Sequence, residues 1–203
     1  MNFNLISAIL VIGLILSAAI INVVKIKSRK VDPTLSTWVI ILVAAILSFS
    51  TYLLAQNRDV VAGALNFADL LSTSTITLGI IIYGKTKWKL KPFEKFYLMA
   101  LVAVCIFWFF TSDPFVSNLL LQVIISLGYI PTAHNLIKNR KNSESFVVWG
   151  LILAASIVSL YPAVNAWVDN GNVLSLVYTV RSIVLLAFTL SLMGYFESKN
   201  KRS

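Results

Sequence analysis

Seven apolar runs, each close to the roughly 20 residues that cross a bilayer as helix, occupy most of this chain and leave little else to fold. They cover about residues 3–24, 34–56, 60–83, 96–111, 115–137, 145–168 and 173–196. What lies between them is sorted by charge. Fifteen of the 17 Lys and Arg fall in four short segments, 25–30, 85–95, 138–141 and 199–202. With seven spans every basic segment lands on one face, the positive-inside pattern of cytoplasmic loops; a six-span count would scatter them over both. The expectation is an all-α, multi-pass integral protein of the cell (plasma) membrane, N-terminus outside and C-terminus cytoplasmic. Only 12% of its residues are charged, against about 25% in soluble domains.

The net charge of +9 does not point to nucleic acid, because its distribution is accounted for by cytoplasmic loops and contact with anionic lipid headgroups. No positive charge precedes the first span and a basic cluster follows it, the reverse of a secretory leader, so that span is expected to be retained. The second span starts after Asp32-Pro33, a helix-start signal. The lone Cys105 sits in an apolar run and rules out a disulfide framework. One histidine and one cysteine do not make a usual zinc site, and no cofactor or metal is expected. No phosphate-cradling glycine motif, nucleophile elbow or pair of carboxylates within reach is present, so an enzyme is not expected. No lysine lies inside a span, which leaves a retinal Schiff base without an attachment point.

The chain also matches itself. At an offset of 111 residues Trp38 falls on Trp149, Lys27 on Lys138, Arg29 on Arg140, Lys30 on Lys141, Ala44 on Ala155, Ile46 on Ile157 and Ser48 on Ser159. A duplicated unit follows: residues 1–84 as a first three-helix repeat, 85–113 as a basic loop and linker helix, and 114–203 as a second repeat with a basic tail. Both units begin outside, so they are parallel, and parallel three-helix units need an odd number of spans between them. Transporters are often built from such repeats, with the solute site near the midplane between them.

The stretch Gly128-Tyr129-Ile130-Pro131, followed by Lys138-Asn139-Arg140-Lys141-Asn142-Ser143 and Trp149, resembles the SWEET and PQ-loop superfamily of three-plus-one-plus-three helix membrane transporters. The resemblance covers the whole chain in architecture and about forty residues in motif. The family's Pro-Gln pair is here Pro131-Thr132, and the first copy has Asn22-Val23 at that place. Of the hinge prolines the resemblance implies, only Pro131 and Pro162 are present, with Thr51 matching Pro162, so the first unit should be the stiffer. Paired polar residues on the third and seventh helices contact the solute in such proteins, which directs attention to the same two spans here.

Those spans carry the chain's two intramembrane charges, Asp69 and Arg181, 112 residues apart. Each lies about eight to ten residues below the outer surface, roughly 12–15 Å, near the midplane. An isolated charge there costs about 2.5–3.5 kcal/mol on insertion scales. Equal depth on corresponding helices makes a mutual ion pair the cheapest arrangement, serving either as a solute site or as a fixed clamp between the spans. Asn66, Asp69 and Thr73 share one helix face, as do Tyr178, Arg181 and Ser182. The substrate-binding candidates are Asp69, Arg181, Asn66, Tyr178, Thr73 and Asn165. The rest of the Ser/Thr run in the third span is expected to bond its own backbone or mediate close packing. Gating or hinge candidates are Pro131, Pro162, Tyr161, Trp38 and Trp149, the two tryptophans fitting interfacial anchoring as well. Asp69 and His134 are the candidates for a coupling proton.

The expected function is transport of a small polar solute, sugar-like or zwitterionic, by alternating access. The alternatives are a ligand-binding receptor on the same seven-helix plan, as the KDEL-receptor branch of the superfamily illustrates, and a lipid-handling accessory protein. The expected partners are the solute and membrane lipids; a homo-oligomer is left open.

Overall fold

The computed structural model describes residues 2–31, 33–55, 57–84, 88, 90–140 and 144–200, the side chain of Asn200 excepted. Asp32, Lys141, Asn142, Ser143, Lys201 and Arg202, and much of the basic loop at 85–89, lie outside the described residues. The rest forms eight helices: α1 (Phe3–Lys27), α2 (Leu35–Leu54), α3 (Ala64–Tyr83), α4 (Pro92–Thr111), α5 (Pro114–Leu127), α6 (Ile130–Asn139), α7 (Phe146–Asn170) and α8 (Val173–Asn200). With α5 and α6 taken together, seven are long and apolar enough to cross a membrane. The chain is thus an integral, multi-pass helical membrane protein by length and composition.

Local chemistry sets the ends. The Asn2 side chain accepts from Leu5 N–H at 3.4 Å and opens α1. The Asp113 carboxylate accepts from Phe115 and Val116 N–H at 3.0 and 3.1 Å, with Pro114 in the first turn of α5. A side-chain oxygen here satisfies donors that a helix start leaves free. α6 stops on left-handed Arg140 (φ 49°), the chain just past α1 turns at left-handed Arg29 (φ 56°), and α7 closes on Gly171 (φ 72°). Only at Gly171 does a glycine relieve the strain of that conformation.

Four spans differ from the sequence expectation: the third starts at Ala64 rather than near 60, the seventh runs on to Asn200 rather than about 196, and the fourth and fifth differ for reasons that can be named. The fourth starts at Pro92 rather than near 96, because the Glu94 side chain accepts from Lys91 N–H at 2.8 Å and caps an added turn. The fifth divides at Gly128-Tyr129. Pro131 has no N–H for the Leu127 carbonyl one turn back, and the chain tightens there: Gly128 N–H donates to Ile125 O at 3.0 Å and Tyr129 N–H to Ser126 O at 3.2 Å. Both residues keep right-handed helical angles, so the break is a tightened turn and not a reversal. Pro162, by contrast, lies inside an uninterrupted α7.

In the bundle α3 packs against both α1 and α2, and α8 packs against α5, α6 and α7. α1 also lies along α7, α2 along α5, and α3 reaches α7 and α8. Close approach relies on small side chains: Ala19, Ala68, Ala155, Ala163, Ser36, Ser48, Ser117 and Ser156 are fully enclosed. This is expected where lipid supplies no hydrophobic drive between helices and van der Waals fit must serve. α4 sits at the side on α2 and α5, burying Tyr97, Leu101 and Val104 and exposing Met99, Phe109 and Phe110.

Candidate functional site

α3 and α8 bring the two intramembrane charges together, but not as a direct pair. Among the described residues no ion pair joins Asp69 to Arg181. Tyr178 stands between them: its hydroxyl donates to Asp69 Oδ2 at 2.5 Å, and its ring lies 4.7 Å from Arg181 Cζ. Tyr178 and Arg181 are three residues apart on α8 and so project from one face. The arrangement uses both properties of a tyrosine. Its electron-rich ring attracts the guanidinium, and its acidic O–H gives the carboxylate a short charge-assisted bond. Arg181 is not satisfied by this. Its Nε and Nη1 are buried and have no hydrogen-bond partner.

Asn66, one turn before Asp69, is buried and belongs to a second polar group. Its Nδ2 donates to Ser48 Oγ at 3.2 Å, and its Oδ1 is unpartnered. On α5, Asn118 Nδ2 donates to the Ser48 carbonyl at 2.8 Å and to Thr51 Oγ1 at 2.9 Å. Gln122 Nε2 donates to Ser48 Oγ at 3.2 Å and to Asn118 Oδ1 at 3.1 Å, while its Oε1 is unpartnered. Ser48 on α2 is therefore the node that ties α3 to α5.

The other candidates fall as follows. Thr73 donates to the Asp69 and Leu70 carbonyls of its own helix at 2.9 and 3.1 Å. Ser74, Thr75 and Thr77 likewise bond carbonyls four residues back. Asn165 Nδ2 donates to Asn4 Oδ1 at 2.9 Å and fastens α7 to the start of α1. Pro162 is buried in α7, whereas Tyr161 beside it is exposed. Trp38 packs against the cluster of Ala19, Ile26, Ile76 and Ile80, and Trp149 against that of Leu136, Met193 and Phe196. Trp149 also meets the Tyr129 ring edge-on at 5.9 Å, which ties the start of α7 to the α5–α6 break. His134 is exposed on α6.

Asn118 and Gln122 were absent from the sequence expectation, although two amides four residues apart in an apolar span are a visible signal of one polar face. Glu94 was absent as well. It is buried at the basic end, accepts from Ser36 Oγ at 3.2 Å and from Thr37 Oγ1, and pins α4 to α2. Its signal was the Lys91-Pro92-x-Glu94 helix start. At the opposite end a cleft of about 460 Å³ is lined by Asn57, Asp113, Gly171 and Asn172, among others. Among the described residues no three His, Cys, Asp or Glu side chains group as metal ligands would. Set against family models and against curated proteins, the chain matches none.

Proposed function

We propose that the chain is a transporter that carries a small polar solute by alternating access between two parallel three-helix units, 1–84 and 114–203, joined by the linker 85–113. The units are supported by their internal correspondence. Phe3 to Pro114, Leu35 to Phe146 and Arg29 to Arg140 each span 111 residues, and they mark two helix starts and a shared left-handed turn. Exchanging the units converts the α1–α7 contact into the α5–α2 contact, and both are made. This is the plan that resemblance to the SWEET and PQ-loop superfamily implies.

The observation that carries the function is Arg181. A guanidinium near mid-membrane with two buried donors unpartnered is an expensive way to clamp helices, and intramembrane charges by default mark a solute or ion path. Asp69, held by Tyr178, is the group available to take up a coupling proton as the solute changes the charge around it. Purified protein in proteoliposomes is expected to take up a small polar solute saturably. Asp69→Asn and Arg181→Ala should each cut uptake at least tenfold with the protein still monodisperse. The proposal fails if no solute moves and both substitutions alter only stability. Saturable binding without flux would assign the receptor alternative instead.

A further inference from the structure

We infer that the site between α3, α5 and α8 takes a small carboxylate bearing a hydrogen-bond donor on the adjacent carbon, that is, an amino or hydroxy acid. This rests on the transporter proposal for the site's location and goes beyond it in naming the solute class.

The inference comes from which atoms lack partners. Among the described residues, the buried side-chain nitrogens and oxygens without a hydrogen bond are Arg181 Nε and Nη1, Asn66 Oδ1 and Gln122 Oε1. They fall in two linked groups that adjoin along one turn of α3. Gln122 and Asn66 share Ser48 Oγ. Asn66 is one turn from Asp69 on α3, Asp69 holds the Tyr178 hydroxyl, and the Tyr178 ring carries Arg181. Buried polar atoms are normally satisfied, and exceptions call for a cause. Here the exceptions are two cationic donors in one group and two neutral acceptors in the other.

The orientation of the acceptors is constrained. Asn118 donates to the Ser48 carbonyl, so its own Oδ1 faces Gln122, and the Gln122 amide must donate to it. Gln122 Oε1 is therefore a fixed acceptor. A ligand that completes both groups needs an anionic acceptor for the guanidinium, since charge-assisted bonds are the strong ones, and an O–H or N–H for the amide oxygens. A neutral sugar supplies no anion. A simple cation would meet Arg181. A plain carboxylate would leave the amide oxygens unpaired, and a site built to bond an O–H or N–H discriminates against an analogue lacking it.

Full-length protein in detergent would be tested by equilibrium dialysis and thermal shift with lactate, alanine, propionate and glucose as probes. Lactate or alanine should bind saturably, with propionate weaker by roughly tenfold, about what one hydrogen bond contributes, and glucose should not compete. Gln122→Leu should bring the acid that binds down to the propionate level while leaving propionate unchanged. Arg181→Gln should abolish binding of all three acids, and Arg181→Lys should restore only part of it. Equal affinity for lactate, alanine and propionate, competition by glucose, or unaltered binding in a monodisperse Arg181→Gln protein would overturn the inference. So would no binding of any probe, the result if water alone fills both groups. Acid binding without flux in proteoliposomes would overturn transport and leave the site standing. Glucose flux without acid binding would do the reverse.

Discussion

Tyr178 is the residue through which the two intramembrane charges meet, and the reason is azimuth rather than depth. At the repeat offset of 111 the position matching Asp69 is Val180, not Arg181, and one extra residue turns a side chain by about 100° around its helix. Equal depth is legible from a hydropathy count, but this rotation is not, so a direct ion pair was the natural expectation and a bridged one is what forms. Tyr178→Phe keeps the ring under Arg181 and removes the donor to Asp69. It is expected to destabilise the protein by about 1.5–3 kcal/mol, as for a bond to a charged group, read by SDS titration in bicelles. The same change in an Asp69→Asn background should cost much less. Equal costs in both backgrounds would mean the hydroxyl serves something other than the carboxylate. The polar members of the site were otherwise half legible. Asp69, Arg181, Asn66 and Tyr178 stand out as charges or polar faces. Ser48 stood out only as a repeat match, since a serine in a membrane helix usually bonds its own backbone, and only the folded neighbours reveal it as a node.

At the scale of elements, helix existence could be read from apolar length, whereas boundaries and crossings depended on short-range chemistry and fit. The Glu94 cap lengthened α4, and Pro131 divided the fifth span. The α1–α3 crossing shows what no periodicity announces. A Cβ added at Gly79 would lie 2.8 Å from Val23 Cγ2 and 3.2 Å from Cγ1. Val23 is branched at Cβ and has little rotamer freedom with which to yield. Gly79→Ala is therefore expected to force α1 and α3 apart at a cost of about 1–3 kcal/mol, the usual range for overpacking. Adding Val23→Ala should recover most of it, because the space lost at one helix is returned by the other. A Gly79→Ala protein as stable as wild type would show that α1 shifts freely along α3. The first unit, which lacks the hinge prolines, would then have a place to flex at this crossing.

For the whole molecule the decisive property is sidedness, because parallel units require both first helices to start on the same face. The folded contacts already group the helix ends. Lys27 Nζ lies 5.5 Å from the Tyr83 ring centroid, placing the ends of α1 and α3 together. Ser36 on Glu94 places the starts of α2 and α4 together. At the other end Asn172 Nδ2 donates to Tyr52 Oη at 2.8 Å, which joins the end of α2 to the α7–α8 turn. Among the described residues Lys25, Lys27, Arg29, Lys30, Lys91 and Lys95 lie at the first of these ends, and a charge bias of that kind fixes orientation during insertion. The lone Cys105 permits a direct test. In a Cys105→Ser background, single cysteines replacing the exposed Val60 and Asp169, and separately the exposed Ser28 and Ser198, are treated with a membrane-impermeant maleimide. Val60→Cys and Asp169→Cys should label in intact cells or right-side-out vesicles, and Ser28→Cys and Ser198→Cys only after permeabilisation. Inverted labelling at all four would keep seven spans and parallel units but reverse the protein, moving the basic face outside. Labelling of Val60→Cys and Asp169→Cys from opposite sides would be more damaging. It would leave an even number of spans between matching helices, make the units antiparallel, and remove the symmetry proposed to relate the α1–α7 contact to the α2–α5 contact.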